Sequence, residues 1–454
     1  MSEGNFGLTE AVSIALGGMI GGGIYAVLGV VTQITGAATW LAFILAGIVA
    51  ICAGYSYVGL NELVTAEDGS GGGSVTFVQS FTGNSDFAGI VGWTLLVGYI
   101  GSMAMYAFAF GEFAVALPLV PDSMAGLALR PVISVLAVAG FVGLNLLGAR
   151  ATGSAENVLV GAKVLVLLTF GVGGIVYVLF ASPGPVNLGI SEITTFSPIM
   201  AGAVSFVAFQ GWQLLFYDQE SLDNPLDQIP KAIYIAIPSA VFIYVIVAVA
   251  TYNLAPEALQ SHPHTALTEA ARTIAGVIGY ATAGGIVLSL SALFSTGSAI
   301  NATLFSAGYF AKGMLSDDLL PDRVGDTSAS GVPTRTLLLL GLVTMAFTAY
   351  GSLEAITSFA SLSFIVVFGA MSVLAFTRRN ADQINATPPV VGAAGSIGFF
   401  FLMLYHLYVE QRGTFFAVIL IAAAVFLVEL LYFERRIIEE EIPYITPGVE
   451  ESAD

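Results

Sequence analysis

Apolar runs of about 20 residues recur along almost the whole chain, each long enough to cross a hydrocarbon core of about 30 Å as a helix. A bilayer offers no water to unpaired backbone groups, so such runs must make their hydrogen bonds internally. Twelve crossings are expected, over residues 8–35, 39–64, 86–118, 131–148, 155–180, 195–218, 232–254, 272–312, 335–351, 353–377, 389–409 and 412–433. The stretch 272–312 exceeds one crossing and predicts a steeply tilted helix with an extension beyond the bilayer. Only 10% of the residues are charged and 56% are hydrophobic, against about 25% charged in soluble domains. The sequence describes an all-α integral membrane protein.

Cytoplasmic loops are rich in Lys and Arg, which gives an independent check on the count. With twelve crossings and the N-terminus inside, Arg150, Lys231, Lys312, Arg323, Arg335, Arg378, Arg379, Arg435 and Arg436 fall on the cytoplasmic side. Arg130, Arg272 and Arg412 fall outside, nine against three, and Lys163 is left inside a span. Both termini are therefore expected in the cytoplasm of a cell-membrane protein. No charged segment precedes the first span, so a removable leader is not expected. The single cysteine, Cys52, excludes an intrachain disulfide.

The net charge is −18, carried by acidic loops such as Glu67 with Asp68 and Asp317 with Asp318, and by an acidic tail over 434–454. Concentrated salt shortens the Debye length to about 3 Å at 1 M and screens such self-repulsion. A halophilic, archaeal source is expected. Neither a nucleic-acid partner nor a cofactor is expected, and the three histidines do not form a metal site: His262 and His264 read as solvated loop residues and His406 lies far from both.

Residues 17–25 read GGMIGGGIY, five glycines in the first apolar run. Each glycine weakens a helix by about 0.5 to 1 kcal/mol relative to alanine, so five weaken it by on the order of 3 to 5 kcal/mol. Close helix packing is one explanation, since Gly17 with Gly21 and Gly18 with Gly22 have GxxxG spacing. Packing wants small residues on one face, whereas Gly21, Gly22 and Gly23 point around the whole helix. The second explanation is a helix unwound at mid-membrane, whose free amides receive a carboxylate and whose free carbonyls receive an ammonium. A partner break is then expected five spans later. There the chain reads SFVAFQGWQLLF, with Gln210, Gly211, Trp212 and Gln213 interrupting an apolar run.

At these residues the chain resembles the amino-acid/polyamine/organocation transporter superfamily. GGMIGGGIY is similar to the first-helix pattern GSMIGSGIF, with Gly22 in place of serine, and Phe206 to Pro230 resembles the sixth-helix pattern without gaps. The loop GSGGGSVTFVQSFTG and the segment from Ser291 to Pro321 resemble the second-to-third connection and the eighth helix. The resemblance implies a LeuT-like fold of two inverted five-helix repeats, here 8–180 and 195–377, two further helices over 389–433, and unwound first and sixth helices. It also implies that Ile20, Gly21, Gly22 and Gly23 hold the substrate carboxylate, while Phe206, Val207, Phe209, Gln210 and Gly211 take the ammonium and shape the side-chain pocket.

Lys163 lies in NVLVGAKVLVLLTF, inside the fifth span. A charged lysine at the bilayer centre costs about 2.5 to 3.5 kcal/mol on insertion scales. It either snorkels to an interface or has a function. The segment resembles the fifth helix of proton-coupled members, which implies that Lys163 carries a proton in place of a sodium ion. Gln213 stands where the family usually has an acid, removing one rival carrier; Ser291, Ser295, Thr296 and Ser298 are further polar groups of the eighth span. The expected function is import of amino acids with protons, with exchange of amino acids or amines as the alternative. A membrane enzyme would need a catalytic constellation, and none is visible.

Overall fold

A computed structural model describes residues 6–68, 71–147, 153–181, 184–217, 219–321, 324–325, 332–424 and 427. Its helices are α1 (Leu8–Thr35), α2 (Thr39–Asp68), α3 (Ser74–Thr82), α4 (Ser85–Val115), α5 (Leu129–Leu146), α6 (Gly153–Phe180) and α7 (Ser197–Val204). After α7 come two 3-10 segments, Ser205–Phe209 and Trp212–Phe216, then α8 (Pro225–Leu254), α9 (Pro256–Ser261), α10 (Ala266–Gly276) and α11 (Ala281–Ser316). The series ends with α12 (Thr334–Tyr350), α13 (Leu353–Thr377), α14 (Thr387–Glu410) and α15 (Arg412–Ala424). Among the described residues, nine helical stretches are long and apolar enough to cross a membrane, the first of which, Leu8–Ala66, contains α1 and all but the last two residues of α2. The shorter apolar helices α12 and α15 accompany them. This is a multi-pass, all-α membrane protein.

Local chemistry sets the boundaries. The Glu10 carboxylate accepts the Gly7 amide at 3.0 Å at the start of α1, Asn84 accepts the Phe87 amide at 2.8 Å at the start of α4, and Ser352 accepts the Ala355 amide at 3.2 Å at the start of α13. Each supplies an acceptor to an amide that has no helical partner. The stretch 272–312 is corrected: it holds no single tilted helix but two helices, α10 and α11, separated by a tight turn. Gly279 takes φ +81° there and the Tyr280 amide reaches back to the Ala275 carbonyl at 2.9 Å, a left-handed helix stop that folds α10 onto α11.

The expectation of an unwound first helix is also corrected. α1 is continuous through all five glycines. The sixth span does break, between Phe209 and Trp212. The acidic tail over 434–454 and Arg150, Arg323, Arg435 and Arg436 lie outside the described residues.

α1 runs through the middle of the bundle, against α4, α6, α8, α11 and both 3-10 segments. The sixth segment is 94% buried, whereas only 17% of α5 is, so the former is core and the latter rim. Leu136, Leu165, Phe294, Leu342 and Phe401 are mostly exposed on the outside of the bundle, an apolar surface suited to lipid. At the face where α1 starts, the Phe6 amide donates to the Ser221 carbonyl at 2.7 Å and the Asp223 amide to the Phe6 carbonyl at 3.1 Å, strapping the start of α1 to the end of the sixth segment. At the opposite face the loop between α9 and α10 lies on α1, where Gly29 leaves room for the Pro263 backbone. His264 of this loop is half-buried, correcting its reading as a solvated residue. Its ring stands 5.7 Å from Phe108, and the Arg130 guanidinium lies 3.8 Å from the centre of the same ring. Burial and Arg130 hold the His264 imidazole below the usual histidine range.

Candidate functional site

The sixth segment tightens from α7 into a 3-10 turn, extends at Gln210 and turns at Gly211, whose φ of +133° favours a residue without a Cβ. Such a break strips backbone groups of helical partners at the core of the molecule, and side chains supply replacements. Ser361 of α13 donates to the Val204 carbonyl at 2.6 Å and accepts the Val207 amide at 3.0 Å. Gln213 accepts the Gly211 amide at 2.7 Å through Oε1 and donates to Gln210 Oε1 at 3.2 Å. Gln210 in turn donates through Nε2 to the Tyr106 hydroxyl of α4.

Facing this break is the glycine run of α1, in which Gly18, Gly21, Gly22 and Gly23 each meet a different neighbour. A Cβ on Gly18 would lie 2.8 Å from Gly211 Cα, one on Gly21 would lie 2.6 Å from Ala299 Cβ of α11, and one on Gly23 would lie 2.9 Å from the Ala208 carbonyl oxygen. On Gly22 it would run into the Tyr106 ring. The glycines point all round the helix because the helix is surrounded. Close packing therefore explains the run more widely than a single GxxxG face could.

Side chains also reach the carbonyls of this stretch. The Tyr244 hydroxyl of α8 lies 2.6 Å from the Met19 oxygen and 2.9 Å from that of Ala208, bridging α1 to the sixth segment. Ser295 donates to the Ile20 carbonyl at 3.3 Å. Lys163 is 4% exposed and does not snorkel; its Nζ donates to the Gly17 carbonyl at 3.3 Å and to Ser298 Oγ at 3.1 Å. One side chain thus joins α6, α1 and α11. A cavity of about 200 Å³ opens beside it between α6 and α11, bounded by Lys163, Ser291, Ser295, Leu159, Val166 and Phe294.

Of the residues singled out from sequence, Gly22, Gly23, Gln210 and Gly211 lie at the meeting of α1 with the break, whereas Gly21 and the Ile20 carbonyl face Ala299 and Ser295 of α11. The side chains of Phe206 and Phe209 pack elsewhere, Phe206 on Phe368 and Phe399 at 5.8 and 5.9 Å and Phe209 on Tyr244 at 5.3 Å. Val207 takes part through its amide. Trp212 is fully buried with its ring 4.9 Å from Phe368 and 5.1 Å from Tyr57, as packing. Sequence reasoning missed Tyr106, Tyr244 and Ser361. A hydroxyl within an apolar helix was the available signal, since such a group needs a partner across the bundle.

Helices surrounding a broken, buried segment and a buried lysine define a multi-pass membrane protein with an interrupted helix at its core. The chain matches the amino acid permease family over residues 6–430, and it belongs to that family. It is 30% identical over 402 residues to the inner membrane transport protein YbaT of Escherichia coli, covering 86% of this chain and 88% of the relative. An uncharacterized protein of Methanocaldococcus jannaschii is 28% identical over 432 residues, 94% of each chain. The b(0,+)-type amino acid transporter 1 of mouse is 23% identical over 395 residues, covering 84% of this chain and 78% of the relative. The chain is a secondary amino-acid transporter.

Proposed function

We propose that the protein imports amino acids with protons across the cell membrane by alternating access, and that Lys163 carries the proton. The reading takes twelve crossings in two inverted repeats, 8–180 and 195–377, with 389–433 as two further helices and both termini cytoplasmic. The observation that carries it is the buried Lys163 Nζ bound to α1 and α11. A protonated amine has three donors and no acceptor, so it favours the arrangement in which the Gly17 carbonyl and Ser298 hydroxyl face it. A neutral amine can also accept, and it holds those groups less firmly. Burial makes the charged form costly, so the amine relies on the Gly17 and Ser298 oxygens to hold its proton. Release of the proton then loosens α1 from α6 and α11, the motion that opens the site. Each proton driven inward through 100 mV supplies about 2.3 kcal/mol, roughly a fiftyfold accumulation of substrate.

In this reading the substrate carboxylate meets Ile20, Gly21, Gly22 and Gly23, and its ammonium and side chain meet Phe206, Val207, Phe209, Gln210 and Gly211. Because α1 is helical here, the carboxylate gains its amides only as the glycine run unwinds. The helix weakness estimated from five glycines makes that step small. The net charge of −18 supports a salt-adapted protein; equal thermal stability in dilute and molar salt would contradict that part.

The test uses the protein and its Lys163→Ala variant in liposomes, screening labelled amino acids under an imposed inward proton gradient. Uptake that requires the gradient in wild type, with the variant confined to exchange or inactive while still binding substrate, supports the reading. Gradient-independent exchange of equal rate by both proteins replaces it with the exchanger.

A further inference from the structure

The loop between α9 and α10 covers one face of the bundle by packing. Its backbone bonds close on itself, the His262 amide donating to the Ala258 carbonyl at 2.7 Å and the Thr265 amide to the His262 carbonyl at 3.1 Å. Toward the bundle it sets the Pro263 backbone into the notch left by Gly29 of α1 and the His264 ring edge-on to Phe108 of α4. That position suits a neutral ring and not a charged one. His264 Nδ1 is buried without a hydrogen-bond partner among the described residues, and the Arg130 guanidinium lies 3.8 Å from the centre of the same Phe108 ring. A neutral imidazole leaves one nitrogen as a bare lone pair. The imidazolium carries N–H on both, so in the closed loop it buries a donor without an acceptor, beside a second positive charge.

We propose that His264 is an acid-released latch: a proton taken up by its ring from outside lifts the loop from Gly29 and Phe108 and uncovers the outer end of α1. This rests on the transport reading, which takes this face as the external one, and adds where external acidity enters the cycle. The side that opens is the side on which protons are available to be carried. Charges on the adjoining elements fit release by repulsion. Arg130 of α5 faces the ring across Phe108. Glu112 of α4 stands 3.8 Å from Arg130, and Glu269 of α10 pairs with Arg272 at 3.1 Å. Glu257 of α9 and Asp122 beyond α4 are exposed, His262 Nδ1 lies 3.0 Å from the Ser261 hydroxyl, and the Tyr25 hydroxyl of α1 is bonded to Ser291 at 2.8 Å. In the lifted loop the ring is solvated and titrates at about 6.5, whereas burial and Arg130 hold it lower in the closed one. Opening therefore rises as pH falls below about 6.5.

The experiment places one cysteine beneath the loop, Ala26→Cys, in a Cys52→Ala background. Ala26 is 1% exposed and lies one turn deeper than Gly29 on the same face of α1. Labelling of the purified protein by a water-soluble thiol reagent is timed at pH 7 and pH 5, with His264 and with His264→Gln. The ratio of the two rates at each pH cancels the pH dependence of the thiol chemistry. From pH 7 to pH 5 this ratio should rise about three- to twentyfold in favour of His264, the upper figure applying to a closed ring that stays neutral throughout. The same ratio for Ser13→Cys, near the other end of α1, should stay constant. A ratio at Ala26→Cys that does not change with pH overturns the proposal, as does an equal rise at both cysteines, which would mean a general loosening. The measurement uses neither substrate nor gradient, so its failure is separate from failure of the liposome test of import.

Discussion

Two glycine-bearing segments cross at the centre of this molecule, and only one of them is broken. α1 keeps its helix through Gly17, Gly18, Gly21, Gly22 and Gly23, whereas the sixth segment opens at a single glycine, Gly211. Glycine content alone would have ranked them the other way. The difference lies in what surrounds the backbone. At Gly211 a positive φ turns the chain, and Gln213 and Ser361 take the orphaned backbone groups. Around α1 the missing Cβ atoms of Gly18, Gly21, Gly22 and Gly23 each admit a neighbour, so these glycines recover in packing what they lose in helix propensity. A break forms where polar side chains can replace the helical bonds, and a helix persists where neighbours fill the space.

The largest effect is expected at the contact where the two segments touch. Gly211→Ala imposes both a strained φ and a Cβ about 2.8 Å from Gly18 Cα, and should destabilise the protein by about 2 to 5 kcal/mol in detergent unfolding. Gly18→Ala meets the same contact from the helical side without the φ strain, and about 1 to 3 kcal/mol is expected. Equal losses for the two would mean that packing alone, and not backbone conformation, separates the segments. Ser361→Ala leaves the Val207 amide and Val204 carbonyl without their partner, with an expected loss of about 1 to 3 kcal/mol confined to the broken segment. Ala299→Gly in a Gly21→Ala background should restore part of the stability lost by Gly21→Ala alone, because the two Cβ atoms compete for one space.

The smallest effect concerns the cover on α1. Burial and Arg130 lower the His264 imidazole in the folded protein, so folding favours its neutral form. Its contribution is complete above the unfolded value of about 6.5 and declines as pH falls from there toward the folded value. Among charged and titratable groups near Phe108, Arg130 also faces Glu112 at 3.8 Å, so this carboxylate must be held constant in the comparison. Wild type should lose more thermal stability between pH 7 and pH 5 than His264→Gln does. A variant with the same pH dependence as wild type would show that the loop is not held by the neutral ring.

The apolar helices of a multi-pass membrane protein were legible in the sequence because hydropathy acts locally, and the break at Gln210 and Gly211 was legible because amides interrupt an apolar run there. The turn at Gly279 was not, since Val277, Ile278 and Tyr280 read as continuous apolar helix and only the positive φ stops it. The continuity of α1 was hidden for a related reason: propensity belongs to the segment, but Tyr106, Ala299 and Tyr244, which fill its glycine notches, come from three other helices. Lys163 was visible as a lone intramembrane charge, while its partners, Gly17 and Ser298, required the fold.

The proposed transport cycle requires the glycine run of α1, a weak helix beside the break, to open for a carboxylate. Hydrogen–deuterium exchange tests it directly, comparing peptides over Ile20–Gly23 with those over Val27–Val31 of the same helix, with and without an amino acid that the protein transports. Faster exchange is expected at the glycines than at the valines, with a change on binding confined to the glycines. Equal protection of both stretches, unaltered by the amino acid, would contradict it.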